Sequence, residues 1–265
     1  MEKIKNIPIG VVVLNDFKTW PQDLVAQLNI LRPTIGNYIQ FERALDKKAE
    51  TNVLFRLKRP YNPHQNIWQR AIEITENLLK GSMILGFHAT RLLPEEISEI
   101  LKNGLEPLSE NLIKRRLLLI QDMGLISEEI RRELLLHSQT KTPGRAGNVF
   151  MFHSTETCKD SSGLGRLLGR YGGESLYWYY DKDESKKSIL RSIGRPAIVL
   201  GVIPFEKLNS QYSVSSRMLK YFWRRREFSD FDSFTNSSVQ VLGVLDSSNA
   251  EFEKLTKYSQ WKNKN

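Results

Sequence analysis

The sequence reads as an α+β protein, and three observations lead there. Helical and strand periods are interspersed without the regular strand–helix–strand alternation of a parallel sheet. The chain has 265 residues, 40% of them hydrophobic and 26% charged, enough to build a buried core without disulfide staples. Its single cysteine, Cys158, allows no intrachain disulfide and no multi-cysteine zinc site.

The elements follow in order. Residues 9–14 form a short apolar run that reads as a buried strand, too short for a signal-peptide core. Val53, Phe55 and Leu57 alternate with Arg56 and Lys58, which predicts a strand over 53–58. A Pro60-Tyr61-Asn62-Pro63 turn follows. Trp68, Ala71, Ile72, Thr75, Leu78 and Leu79 then recur at helical spacing, up to a stop at Lys80-Gly81. Residues 83–87 predict a strand running into His88-Ala89-Thr90. Pro94, Glu95 and Glu96 open a helix that Asn103-Gly104 closes, although Leu93, at its N-cap position, offers no capping oxygen.

Two further helices are expected at 110–123 and, capped by Ser127, through Leu136. The loop 140–147 feeds a strand at 149–152, and the glycine-rich stretch 161–173 reads as a short helix with loose ends. Strands are expected at 175–180 and 197–203 with a helix at 184–193 between them. A last strand lies at 239–245, and Asn249 caps a final helix. No run approaches the ~20 apolar residues of a membrane span, so the expectation is a cytoplasmic protein in a reducing compartment.

Several chemistries are excluded at this level. There is no GxxxxGK[ST] phosphate loop, no complete GxGxxG and no GxSxG elbow. His64, His88, His137 and His153 form no HExxH or HxxxH pair, so no metal is expected. A Cys158–His nucleophile pair is conceivable, but a lone cysteine between Thr157 and Lys159 reads as inert.

The informative passage is Gly86-Phe87-His88-Ala89-Thr90-Arg91, followed by a helix and Asn103-Gly104-Leu105. Two-residue spacing puts the imidazole of His88 and the hydroxyl of Thr90 on one side of the chain. These residues resemble the first motif of the ADP-ribosyltransferase superfamily, in particular its poly(ADP-ribose)-polymerase-like branch. That motif is a strand, a His-Gly-Thr/Ser tripeptide, a helix and Gly-Leu, with Ala89 here as a small departure. Gly144-Arg145-Ala146-Gly147-Asn148-Val149-Phe150 is similar to the family's entry to its second strand, with Phe150 where a nicotinamide-stacking tyrosine is usual.

The third family position is a glutamate near a strand start. Glu174, after Gly172-Gly173, fits by chemistry, whereas the strand containing Ser238 and Gln240 fits by order along the chain. Chemistry favours Glu174. The resemblance covers residues 83–245 and implies a split mixed or antiparallel sheet with flanking helices, residues 1–80 being an N-terminal appendage and 81–265 the catalytic domain. It implies NAD as substrate, His88, Ala89, Thr90, Arg145 and Phe150 as its binding residues, Glu174 and His88 as the catalytic pair, and no metal. Small bacterial members are often toxins or anti-phage effectors, so an antitoxin partner enters as an expectation.

Lys and Arg outnumber Asp and Glu by 39 to 30, a net charge of +9. Arg217, Lys220, Trp223, Arg224, Arg225 and Arg226 interleave cations with aromatics, as single-stranded nucleic acid would require, or else form a helix with its aromatic face inward and its basic face solvated. Arg115-Arg116, Arg131-Arg132, Arg145, Arg166 and Arg170 tilt the expectation toward RNA or DNA as the acceptor. Three alternatives stay open: a protein acceptor, an RNA 2′-phosphotransferase needing arginines around His88, and a non-catalytic nucleic-acid-binding protein.

Overall fold

The computed structural model describes residues 7–159, 161–180, 183–224 and 232–260; Arg225 and Arg226 lie outside them. The chain opens with a short strand, β1 (Val11–Val12), which runs parallel to the first two residues of β2. Three helices follow: α1 (Gln22–Thr51), α2 (Val53–Leu57) and α3 (Gln65–Leu79). Next come β2 (Met83–Leu92), α4 (Pro94–Asn103), α5 (Glu110–Asp122), α6 (Glu128–Leu136) and β3 (Val149–Phe152). After them lie α7 (Ser161–Gly169), α8 (Glu174–Tyr180), α9 (Glu184–Ser192) and β4 (Arg195–Pro204). The chain ends with α10 (Gln211–Arg224), β5 (Asp232–Thr235), β6 (Gln240–Asp246) and α11 (Ala250–Thr256). The protein is a mixture of helices and one mainly antiparallel sheet.

The sheet order is β5-β3-β2-β4-β6, with β1 beside β2. β2 and β4 pair along all ten residues, from Met83–Pro204 to Leu92–Arg195, which makes them the rigid centre. On one sheet face α1, α3 and α10 bury Leu28, Ile35, Trp68 and Met218 against Ile84, Val149 and Val199. On the other, α7 and α11 bury Leu164, Leu168 and Phe252 against Leu85, Phe87 and Ile198. A third cluster joins α5, α6, α8 and α9 through Leu117, Leu134, Leu176 and Leu190, with Tyr171 added from the turn between α7 and α8. The first 80 residues supply a strand to the sheet and share its core.

Two strand expectations are overturned. Residues 53–57 are helical: the Asn52 side chain accepts the Phe55 N–H at 2.9 Å, and Val53, Leu54 and Leu57 are exposed, so no sheet takes up their apolar alternation. Residues 174–180 also form a helix. Leu176, Tyr177 and Tyr180 are the buried large side chains there, a helical spacing, while Trp178 and Tyr179 are exposed, so tertiary burial overrides the β-propensity of a Tyr-Trp-Tyr-Tyr run. His88-Ala89-Thr90 lies inside a longer strand rather than beyond its end. The missing cap at Leu93 is supplied from within the helix, because the Glu96 carboxylate accepts the Leu93 N–H at 2.8 Å.

Candidate functional site

The sheet opens beside His88. β2 and β3 share one paired position, Phe87 with Phe152, and then diverge. His88, the next residue, reaches across the gap, its Nδ1 lying 2.9 Å from the Phe150 carbonyl oxygen. A carbonyl only accepts, so Nδ1 carries the proton and Nε2 of the neutral ring is an acceptor. Burial lowers the imidazole pKa, the Phe150 carbonyl partly offsets this, and the Arg116 guanidinium lowers it further. His88 is therefore neutral at neutral pH.

A cavity of about 340 Å³ fills the opening, within the usual range for a small-molecule site. His88, Ala89 and Thr90 border it from β2, Arg145 and Phe150 from the next motif, and Glu174 from the start of α8. Its apolar wall comes from Ile100, Leu105, Leu108 and Leu112. Thr90 is buried, and two residues from His88 it lies on the same face of β2. Ala89 belongs to the opposite cluster, so it meets this space chiefly with its backbone. By strand alternation Phe150 turns to the side of Phe152 and His88 to the other, so the two meet only across the opening. The Phe150 ring is half-buried and tilted against Phe234 at 5.2 Å.

Glu174 stands at a helix start, not at the strand mouth expected from sequence. Gly172 and Gly173, at φ +79° and +55°, make the left-handed reversal that brings it to the cavity. A Cβ on Gly172 would overlap the Leu176 side chain, so no other residue fits there. The carboxylate is ion-paired with Arg145, and the Tyr177 hydroxyl donates to it at 3.4 Å. Glu174 remains 41% exposed, accessible to a ligand in the cavity. Gln240, the alternative, is exposed at the start of β6 opposite Val202, and neither it nor the exposed Ser238 is among the residues bordering the cavity.

Sequence reading noted Arg115-Arg116 as a basic pair and Glu96 as a helix-opening residue but placed neither them nor Glu106 at this site, and all four border the same space. Buried Glu96 accepts from Arg116 Nε at 2.5 Å and from the Tyr171 hydroxyl at 2.7 Å, while the Arg116 guanidinium lies 4.6 Å from the Tyr171 ring centre. Arg115 pairs with Glu106 at 2.9 Å. A glutamate at the third helical residue was the available signal for Glu96; nothing local marked the arginines. Arg91, the arginine nearest His88 in sequence, is spent on structure. Its guanidinium donates to the carbonyls of Ile193, Leu168 and Gly194 at 2.8, 3.1 and 2.6 Å.

Cys158 is buried with its thiol pKa pushed up by burial, which leaves no thiolate for nucleophilic chemistry. Among the described residues no cluster of three His, Cys, Asp or Glu side chains could hold a metal ion, and no helix is long and apolar enough to cross a membrane.

In the basic cluster, the aromatics face inward. Phe222 is buried, Tyr221 stacks on Phe17 at 4.8 Å and donates to the Asn15 carbonyl, and Trp223 lies so close against Gly36 that a Cβ there would overlap its ring. Arg217, Lys220 and Arg224 line a separate groove. Comparison of the chain with protein-family models, with curated proteins and with solved structures gives no match.

Proposed function

We propose that this protein is an NAD-dependent ADP-ribosyltransferase whose acceptor is nucleic acid, RNA before DNA. One observation carries the reading: three stretches of chain, at His88-Ala89-Thr90, Arg145 to Phe150 and Glu174, border one cavity. They are the stretches on which the family resemblance rests, and nothing in their local sequence requires them to meet.

The chemistry suits the groups. Cleavage of the nicotinamide–ribose bond sends the bonding electron pair out with neutral nicotinamide and leaves an oxocarbenium-like sugar. The acceptor's lone pair then bonds to C1′ and its proton is released. A carboxylate at the sugar stabilises the developing positive charge, which is the role of Glu174. The neutral Nε2 of His88 accepts a ribose hydroxyl and fixes the sugar, with Thr90 beside it. Phe150 stacks on nicotinamide without the phenolic hydrogen bond of a tyrosine. Arg145 passes from the Glu174 carboxylate to the pyrophosphate as the dinucleotide enters.

The charges around the cavity bear on the runner-up. Arg115, Arg116 and Arg145 face Glu96, Glu99, Glu106 and Glu174. Such a near-balanced site suits a dinucleotide with a cationic nicotinamide better than the dianionic 2′-phosphate of an RNA 2′-phosphotransferase substrate. A reducing cytoplasm as the setting and a toxin or anti-phage role with an antitoxin partner belong to the same proposal. The test is incubation with labelled NAD and, separately, RNA, single-stranded DNA and cell lysate. Label on RNA supports the reading; label on lysate protein alone moves the acceptor to protein.

A further inference from the structure

A second groove, of about 750 Å³, lies between α1, α3 and α10, and none of the residues lining it borders the His88 cavity. Arg217, Lys220 and Arg224 recur along α10 at three- and four-residue steps, a row about 10 Å long on one helix face. Arg43 adds a fourth cation from α1. The two acids of the groove, Glu42 and Asp46, are both held by Arg59, at 2.6 and 2.7 Å. Among the described residues, four cations line the groove against two carboxylates, and those two carboxylates are already paired with Arg59 from outside the lining. Between the charges stand hydroxyls: Ser213, Ser216, Tyr212 and Tyr38. The Tyr38 phenol pKa is pushed up to about 12, first by burial and then by Glu42, so it stays a donor at neutral pH.

We propose that this groove holds the phosphate backbone of single-stranded RNA along the row Arg217, Lys220 and Arg224, without reading base identity. The inference rests on the reading of a nucleic-acid acceptor and gives that acceptor a binding surface away from the chemistry. An extended row of cations with neutral donors between them matches successive phosphates better than one compact anion. Base stacking contributes little. Trp223 and Phe222 are packed inward. Of the rings that line the groove, Trp68 is buried and stacked on the half-buried Tyr38 at 4.3 Å, so among the described residues Tyr212, at 47% exposure, is the most accessible ring there, one that any base can use.

The test is fluorescence anisotropy of labelled oligouridine and oligoadenosine across a salt series, on wild type, Lys220→Glu and Arg217→Gln. Lys220 is exposed, so its variant leaves folding intact, which thermal melting checks. Both RNAs should bind with similar affinity. Lys220→Glu should weaken both by about tenfold or more, and each variant should flatten the log–log salt slope by about 0.7 for each phosphate no longer neutralised. Unchanged affinity and slope in both variants overturn the proposal. So does polyglutamate binding as tightly as RNA, which points to an acidic protein, or pyrophosphate displacing RNA at equal concentration, which points to a single-anion site. Nicotinamide release from NAD without RNA is measured in parallel and should be the same in all three proteins. If wild type releases none while the RNA results hold, the transferase reading fails and the groove stands. If release is normal and RNA binding ignores the variants, the groove fails alone.

Discussion

The imidazole of His88 donates through Nδ1 to the carbonyl oxygen of Phe150, 2.9 Å away, across the point where β2 and β3 part. The bond ties the first motif to the second and fixes the tautomer that faces the cavity. Whatever binds there meets an acceptor on His88, not an acid.

The pH behaviour follows. His88 has a folded pKa below its ordinary 6.5, so the unfolded chain takes up a proton that the folded one resists. This contribution to stability is complete above pH 6.5 and is lost progressively as pH falls toward the lowered folded value. Urea denaturation should show His88→Gln to be less pH-sensitive than wild type as pH falls below the ordinary histidine value of about 6.5. Nitrogen-detected NMR should find the Nδ1–H tautomer at neutral pH.

Glu174→Gln should lose about 10²–10³ in transfer rate while melting like wild type, because the side chain is 41% exposed and outside the core. Gln240→Ala should keep full activity. The reverse pattern, read from initial rates of nicotinamide release, would move the third motif to β6.

Arg91→Met removes a guanidinium that serves two buried carbonyls, of Ile193 and Leu168, and the part-buried carbonyl of Gly194. The loss should be at least about 3 kcal/mol, measured by denaturant titration, since unmet buried acceptors keep their desolvation cost. Loss of activity with unchanged stability would make Arg91 a ligand-binding residue instead.

Cys158 should resist thiol reagents in the native protein and react on unfolding, since burial holds its thiol protonated. Cys158→Ala should retain activity at a stability cost of about 1–2 kcal/mol.

Much of this architecture is legible in the chain because it follows local rules. The α3 stripe from Trp68 to Leu79, the Ser127 and Asn249 caps, and the runs that become β2, β3, β4 and β6 all fold where their periods place them. The failures share a cause, a preference that only tertiary contact decides. Val53 to Leu57 alternates like a strand but finds no sheet, and the aromatics after Glu174 become helical to bury Leu176, Tyr177 and Tyr180 together. Helix α1 went unread because Pro33 and Gly36 interrupt its pattern, yet Gly36 is the place where Trp223 packs. The short β5 was missed too; it exists as the partner of β3. At the site, motif residues could be named from sequence, whereas Arg115, Arg116 and their glutamates reach it only through the packing of α4 and α5.

The central claim is that the cavity at His88 binds NAD and breaks it. Calorimetric titration of NAD into wild type, His88→Ala and Glu174→Gln, with nicotinamide release followed in the same samples, tests it most directly. Wild type should bind and release nicotinamide. His88→Ala should bind at least about tenfold more weakly, having lost the acceptor for the ribose. Glu174→Gln should bind like wild type and release about a hundredfold less or lower still. No binding by wild type, or binding that neither substitution alters, would contradict the account.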